Sequence, residues 1–307
     1  MITYVSSDIL QSPARVLVNA VNTVGVMGKG VARDFKLCFP EMFETYREQC
    51  QQGDFAIGQL MLHRTTHKWV LNFPTKEHWR SPSQIADIEL GLQSFVATYS
   101  QMGITSASFP RLGCGAGGLD WDREVRPLME AYLHRLPVAT YIHEYDEDDP
   151  FFPEDRNIRT IRAWLEGDPQ TVDFSKFWRD ITRLLKKKSK FTTLDGERKF
   201  SVGQDKRRRG QNLVLLSDAP NPLFLSESLL VDLWIYVRSA GYAHTANLPG
   251  GLDEHADLIV ALLCQLEYVR PVTLLGDDGM QRLGLHYIPP TSKHGSVEQI
   301  KVDLATS

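Results

Sequence analysis

At 307 residues the chain is about twice the length of a common domain of about 150 residues, which predicts two domains. A 42% hydrophobic and 23% charged composition excludes a mostly disordered, collagen-like or coiled-coil chain, and four cysteines (Cys38, Cys50, Cys114, Cys264) are too few for a disulfide framework. The net charge of −4 hides an acidic front (13 basic against 18 acidic over 1–150), a basic strip (11 against 3 over 183–209) and an acidic tail (5 against 11 over 210–307).

An acidic front half binds polyanions poorly, so a phosphate-bearing ligand there must be recognised locally. The opening Met-Ile-Thr-Tyr-Val-Ser-Ser-Asp lacks the basic and apolar regions of a secretory leader, and no apolar run reaches the roughly 20 residues of a membrane span. The expectation is a cytoplasmic chain with no membrane part.

In chain order, strand-like runs rich in Val, Ile, Leu, Phe and Tyr fall at 2–6, 15–21, 58–63, 68–73, 105–110 and 138–145. Helical stretches lie between them, at 31–38, 85–102 and 122–135. In the last, Val125, Leu128, Met129, Tyr132 and Leu133 recur at the spacing of one buried face. Strands alternating with helices predict a mostly parallel sheet covered on both sides, with its ligand crevice outside the carboxyl ends of the strands. Asp146-Glu-Asp-Asp-Pro-Phe-Phe-Pro153 then breaks the pattern.

Beyond it, Phe174, Phe177, Trp178, Ile181, Leu184 and Leu185 form a helical stripe. Lys186-Lys-Lys-Ser-Lys190 and Lys206-Arg-Arg-Arg209, with Gly196, Gly203 and Gly210, read as a mobile basic loop: a solvated face, or a contact for nucleic acid or an acidic partner. The tail predicts buried helices at 229–237 and 258–266, with Ser226 and Asp253 as caps. A strand at 271–275, a turn at 276–279 and a return strand at 283–288 complete a small α+β, winged-helix-like unit.

Two glycine-rich segments carry the chemistry. Asn19-Ala-Val-Asn-Thr-Val-Gly-Val-Met-Gly-Lys-Gly-Val-Ala32 follows a strand and runs into a helix, and so does Phe109-Pro-Arg-Leu-Gly-Cys-Gly-Ala-Gly-Gly-Leu-Asp-Trp121. Backbone N–H groups at such strand-to-helix turns bind anions, and two turns on one parallel sheet can close over a diphosphate. Neither segment has the spacing of a P-loop or of the dinucleotide-binding glycine motif.

These segments, with Ser7-Asp8-Ile9 after the first strand, resemble the macrodomain family of ADP-ribose-binding proteins. Asn72-Phe-Pro-Thr-Lys-Glu-His-Trp-Arg80 further resembles the DarG antitoxin group of DarT/DarG toxin–antitoxin systems. The resemblance covers about residues 1–150. It implies a three-layer α/β/α sandwich with a mixed, mostly parallel sheet, plus a smaller C-terminal α+β domain. The expected organisation is a macrodomain over 1–152, amphipathic helices and a basic linker over 153–210, and a partner-binding domain over 211–307.

By resemblance, Asp8 and Ile9 contact the adenine and Asn22 the distal ribose. Gly28, Lys29, Gly30 and Val31 line one side of the diphosphate; Leu112, Gly113, Cys114, Gly115, Ala116, Gly117 and Gly118 line the other. On residue type alone, Asp8 could equally cap a turn and Asn22 form one. Lys76 is implied as the nucleophile that breaks the glycosidic bond, as a desolvated lysine can. Some lysine-dependent relatives assist it with an Asp where this chain has Gly117, which leaves Glu77, His78 and Asp120 as acid/base candidates.

Cys114 reads as a space-filler more than a nucleophile. His63 and His67 lie on a strand–turn–strand segment without zinc spacing, so no metal and no cofactor are expected. The implied activity is removal of ADP-ribose from modified nucleotides in single-stranded DNA, by an antitoxin that also binds a DarT-like ADP-ribosyltransferase toxin. The alternatives are a non-catalytic ADP-ribose reader, and a protein-binding antitoxin whose macrodomain is secondary.

Overall fold

The computed structural model describes residues 2–144, 149, 151, 157–205, 210–216, 222–276 and 280–292. Most of the acidic break at 146–153, the basic cluster Lys206–Arg209 and most of the turn at 276–279 lie outside the described residues.

The front of the chain alternates as its patterning predicts. Strands β1 (Ile2–Ser6) and β2 (Val16–Asn22) lead to helices α1 (Gly30–Cys38) and α2 (Pro40–Gln52). Strands β3 (Met61–Arg64) and β4 (Trp69–Lys76), helix α3 (Ile85–Thr98), strand β5 (Ser106–Pro110), helix α4 (Arg126–Leu133) and strand β6 (Ala139–His143) follow. Helix α2 is not among the expected elements, although Pro40 stands in its first turn and Gly53, at φ 78°, closes it. The strands β1, β6, β5, β2 and β4 are parallel neighbours in that order, with β3 antiparallel at the edge. Leu71, Phe73, Ile88, Phe95, Phe109 and Met129 pack on one face with α3 and α4. Leu17, Val21, Phe35, Met42 and Tyr46 pack on the other with α1 and α2. The result is the three-layer α/β/α sandwich.

Helix α5 (Ile158–Glu166) adds Ile161 and Leu165 to that second face. After a two-residue strand β7 (Asp168–Pro169) comes α6 (Phe174–Lys187), capped by Asp173 through Lys176 N–H at 2.7 Å. The stretch expected as a mobile loop is in part a sheet. Strands β8 (Lys190–Thr192), β9 (Lys199–Gln204), β10 (Leu213–Leu216) and β11 (Leu223–Leu225) form an antiparallel meander. Phe191, Phe200, Val202, Leu213 and Leu215 alternate onto its buried face, a period-2 pattern that the lysines and glycines obscure.

The tail holds α7 (Glu227–Ala240), β12 (Tyr242–His244), α8 (Ala256–Leu263), β13 (Val269–Leu275), β14 (Gln281–Tyr287) and β15 (Thr291–Ser292). Ser226 caps α7 as expected, accepting from Leu229 N–H at 3.3 Å. Asp253 does not cap α8: it lies in the 3₁₀ stretch Pro249–His255, and the N-cap is His255, with no side-chain bond. Strands β12, β14 and β13 join the front sheet, because β13 pairs antiparallel with β1 (Tyr4↔Leu275, Val5↔Leu274, Ser6↔Thr273). One nine-stranded sheet therefore crosses the expected boundaries at 152 and 210.

The seam buries polar groups beside an apolar cluster of Val5, Tyr242, Val272 and Leu274. Tyr242 Oη lies 2.7 Å from Ser7 Oγ, which is 3.3 Å from His143 Nδ1, and His143 Nε2 lies 3.2 Å from Ser108 Oγ. The His286 ring sits 4.5 Å from the Tyr242 ring. Among the described residues, no helix is long and apolar enough to cross a membrane.

Candidate active site

The parallel strands β1, β6, β5, β2 and β4 end at one edge of the sheet, where Asp8, Asn22, Lys76 and both glycine loops gather. Lys76 owes its place to a proline. Pro74 cannot donate to a ladder, and central strands take proline at bulges. Here Val21 pairs with Pro74 but Asn22 with Lys76, so Thr75 is the extra residue. Its hydroxyl donates to Val21 O at 3.3 Å. The bulge brings the lysine level with Asn22 at the strand ends.

There Lys76 is 8% exposed, and its Nζ donates to Ser81 O at 3.0 Å and Ala116 O at 2.7 Å. The amine thus ties the loop after β4 to the second glycine loop. Burial lowers its pKa from the ordinary lysine range, with no neighbouring charge contributing. Each of the three acid/base candidates makes a local contact that does not involve Lys76. Asp120 accepts from Arg123 N–H at 3.0 Å, His78 Nδ1 accepts from Arg80 N–H at 3.2 Å, and Glu77 receives Thr23 on its backbone oxygen.

Around the amine, both loops present backbone N–H groups that the protein leaves open. Helix α1 opens at Gly30 with Lys29 as an N-cap that makes no side-chain bond, which leaves its first N–H groups open. Gly28 and Lys29 are exposed and Val31 half-buried beside them. In the second loop, Leu112 and Gly113 are buried under exposed Gly115, Ala116 and Gly118. Among the described residues, the N–H groups of Gly115, Ala116 and Gly117 meet no protein acceptor. Gly113 has φ +71°, and a Cβ on Gly117 would lie 2.2 Å from Gly113 O and 2.3 Å from Ser83 Oγ. Ser83 N–H also donates to Gly117 O at 2.9 Å, so the loop is clamped from beneath. Cys114 donates to Leu112 O at 3.4 Å, and burial pushes its thiol up to about 11, a protonated and unreactive form at neutral pH.

Two expected contacts carry structural roles as well. Asp8, 5% exposed, accepts from Leu10 N–H at 3.0 Å and caps the 3₁₀ turn Ile9–Gln11, while Ile9 is buried in the core. Asn22 holds its own loop: Oδ1 accepts from Val24 and Val26 N–H (both 3.2 Å), and Nδ2 donates to Val26 O at 2.6 Å. Its turn-forming role is therefore realised, and its amide is committed to the loop. Sequence reasoning missed Tyr46 of α2, whose hydroxyl donates to Asn22 O at 2.6 Å; it missed Ser81 and Ser83 too. Tyr46 stands on the buried face with Met42 and Phe43, where it reads as packing.

The Macro domain family model matches residues 18–128, the span that holds both loops and Lys76. A Mycobacterium tuberculosis protein named DNA ADP-ribosyl glycohydrolase is 41% identical over 171 residues, covering 54% of this chain and 46% of that protein. A Thermosipho africanus DNA ADP-ribosyl transferase–DNA ADP-ribosyl glycohydrolase fusion protein is 36% identical over 161 residues, covering 46% of this chain and 41% of the fusion. The chain thus spans less than half the length of these curated relatives. Among solved structures, the macrodomain of Mycobacterium tuberculosis DarG is 42% identical, with a TM-score of 0.46, covering 48% of this chain and 99% of that one. The front of the chain, over residues 18–128, therefore carries a Macro domain.

Proposed function

We propose that the chain is an ADP-ribosyl glycohydrolase that releases ADP-ribose from modified nucleotides in single-stranded DNA. The observation that carries this is the buried Lys76 amine between two carbonyls at the site edge. A neutral amine has two hydrogens. With Ser81 O and Ala116 O taking both, its lone pair is free to face a substrate carbon. Attack at the anomeric carbon of the distal ribose forms a C–N bond as the glycosidic bond to the base breaks. The base leaves with the bonding electrons and takes the proton shed by the amine. Water then displaces Lys76, releasing ADP-ribose and restoring the amine. Lowered basicity raises the fraction of enzyme that can begin this sequence.

The diphosphate falls to the N–H groups of the two glycine loops, and adenine to the Asp8–Ile9 turn. The acceptor rests on likeness to relatives named for DNA. The same proposal includes an antitoxin role in the cytoplasm, with residues 211–307 binding a DarT-like ADP-ribosyltransferase; what supports it is the pairing of a DNA ADP-ribosyl transferase with a DNA ADP-ribosyl glycohydrolase in the Thermosipho africanus fusion protein.

The test offers ADP-ribosylated single-stranded DNA, ADP-ribosylated protein and O-acetyl-ADP-ribose side by side. ADP-ribose should be released from the DNA, and Lys76→Ala should slow release about 10²-fold or more while ADP-ribose affinity stays within about threefold. The rate should rise with pH through the lowered pKa, since the neutral amine is the active form. Turnover by Lys76→Ala at the wild-type rate would falsify the assignment. Binding without release by the wild type would leave a reader, with Lys76 as a cross-link between loops. Full-length Lys76→Ala co-expressed with the toxin should still restore growth; growth arrest as deep as with toxin alone would remove the docking role.

A further inference from the structure

The loop that follows Lys76 has a feature the reaction does not use. The chain has six tryptophans, all among the described residues, and Trp79 alone is in the exposed class, at 45%. Two neighbours stand beside it, and nearly half of the side chain stays open to solvent. The His78 ring lies 5.4 Å away at 30°, and the Arg80 guanidinium carbon sits 4.4 Å from the indole centre. Among the described residues Arg80 makes no ion pair, so its charge is available. The loop is anchored rather than loose: Ser81 N–H donates to His78 O at 3.0 Å, and Arg80 N–H reaches His78 Nδ1. Ser81 O in turn accepts from Lys76 Nζ, so the His78–Arg80 stack stands one hydrogen bond from the reacting amine. Thr23 N–H, bonded to Glu77 O at 3.0 Å, brings the first glycine loop alongside, with Val24 and Val26 exposed at 44% and 40%.

We infer that Trp79 and Arg80 form an acceptor-side platform for single-stranded nucleic acid, Trp79 stacking on a base and Arg80 holding a phosphate. The inference rests on the hydrolase reading for its substrate. The leaving group departs from the carbon beside Lys76, so whatever carries it lies against this rim. An indole and a guanidinium in one stack offer the two surfaces a single strand presents, flat bases and anionic phosphates. The acidic front half supplies no broad basic field, so affinity for the acceptor must be local, as here.

The test uses the full chain and its Trp79→Ala, Trp79→Phe and Arg80→Ala variants, with an unmodified ten-nucleotide single-stranded DNA, ADP-ribose alone, and the ADP-ribosylated forms of that DNA and of a protein. Trp79→Ala should weaken binding of the unmodified strand about tenfold, the size of one base–aromatic stack, and Trp79→Phe should recover most of it. Arg80→Ala should flatten the salt dependence of that binding. For ADP-ribosylated DNA, KM should rise about tenfold in Trp79→Ala with kcat within about twofold. ADP-ribose affinity should not move in any variant. Unchanged strand binding in Trp79→Ala overturns the platform, as does an equal loss of ADP-ribose affinity. An equal loss on ADP-ribosylated protein would make the rim a protein-facing surface, and also overturns it. If the wild type releases nothing from DNA yet its strand binding depends on Trp79, the platform stands and the hydrolase reading falls.

Discussion

Single atoms decide the shape of the second glycine loop. At Gly117 an added Cβ meets the Gly113 backbone oxygen at 2.2 Å and the Ser83 hydroxyl at 2.3 Å; the hydroxyl can rotate, but the backbone oxygen cannot move without the loop. At Gly28 the nearest atom is 3.9 Å away. Gly117→Ala should therefore cost about 1–3 kcal/mol of stability through overpacking, and ADP-ribose affinity with it. Gly28→Ala should leave the melting temperature unchanged and lower affinity only through the ligand's approach. Calorimetry beside thermal melts separates the two, and an unchanged melt for Gly117→Ala would show that the clamp gives way. The placement of Lys76 and the loop glycines was legible: they lie where the parallel strands end. The employment of polar side chains was not legible. Asn22 and Asp8 could each serve a ligand or a turn, and only the neighbours Val26 and Leu10 show the turn in use.

At the scale of elements, the bulge in β4 couples a stability decision to a functional one. Without Thr75, β4 would pair regularly with β2, and the lysine would still stand opposite Asn22 but lose the bend and extra twist that the bulge gives the strand end. Deleting Thr75 should leave a cooperative melt but cost about 10²-fold in turnover through misplacement of the amine. Turnover at the wild-type rate would show that the bulge does not aim the lysine. Strands β1, β2, β4 and β6 were readable from their branched and aromatic residues, and β3 and β5 from the turn signals around them. The β8–β11 meander was not, because its alternating Phe191, Phe200 and Val202 lie among lysines and glycines that read as loop. Helix α2 was missed despite its Pro40 and Gly53 signals, since Gln51 and Gln52 and the acidic Glu41, Glu44 and Glu48 dilute its apolar face.

Across the whole molecule, three buried histidines set the acid limit of stability. Burial holds His67 and His143 at about 4 and His286 at about 3, all below the ordinary value of about 6.5. Between these values the unfolded chain binds protons that the folded chain refuses. Stability should therefore fall as pH drops from about 6.5 toward 4. His286→Phe, which removes one such site while keeping a ring against Tyr242, should melt with a shallower pH dependence over that window. Equal slopes would take His286 out of the account. Pairing of the tail with β1 was not readable either, because an antiparallel partner 270 residues away leaves no local trace; the expected winged-helix-like unit placed these strands in a sheet of their own. That pairing also decides what a cut between the halves would expose. Without β13, β1 turns from an interior strand into an edge, with the Tyr4, Val5 and Ser6 positions left unpaired on that side and the Ser7 hydroxyl parted from Tyr242. A bared edge of that kind is a template for pairing with another chain, so the tail shields the front half from association.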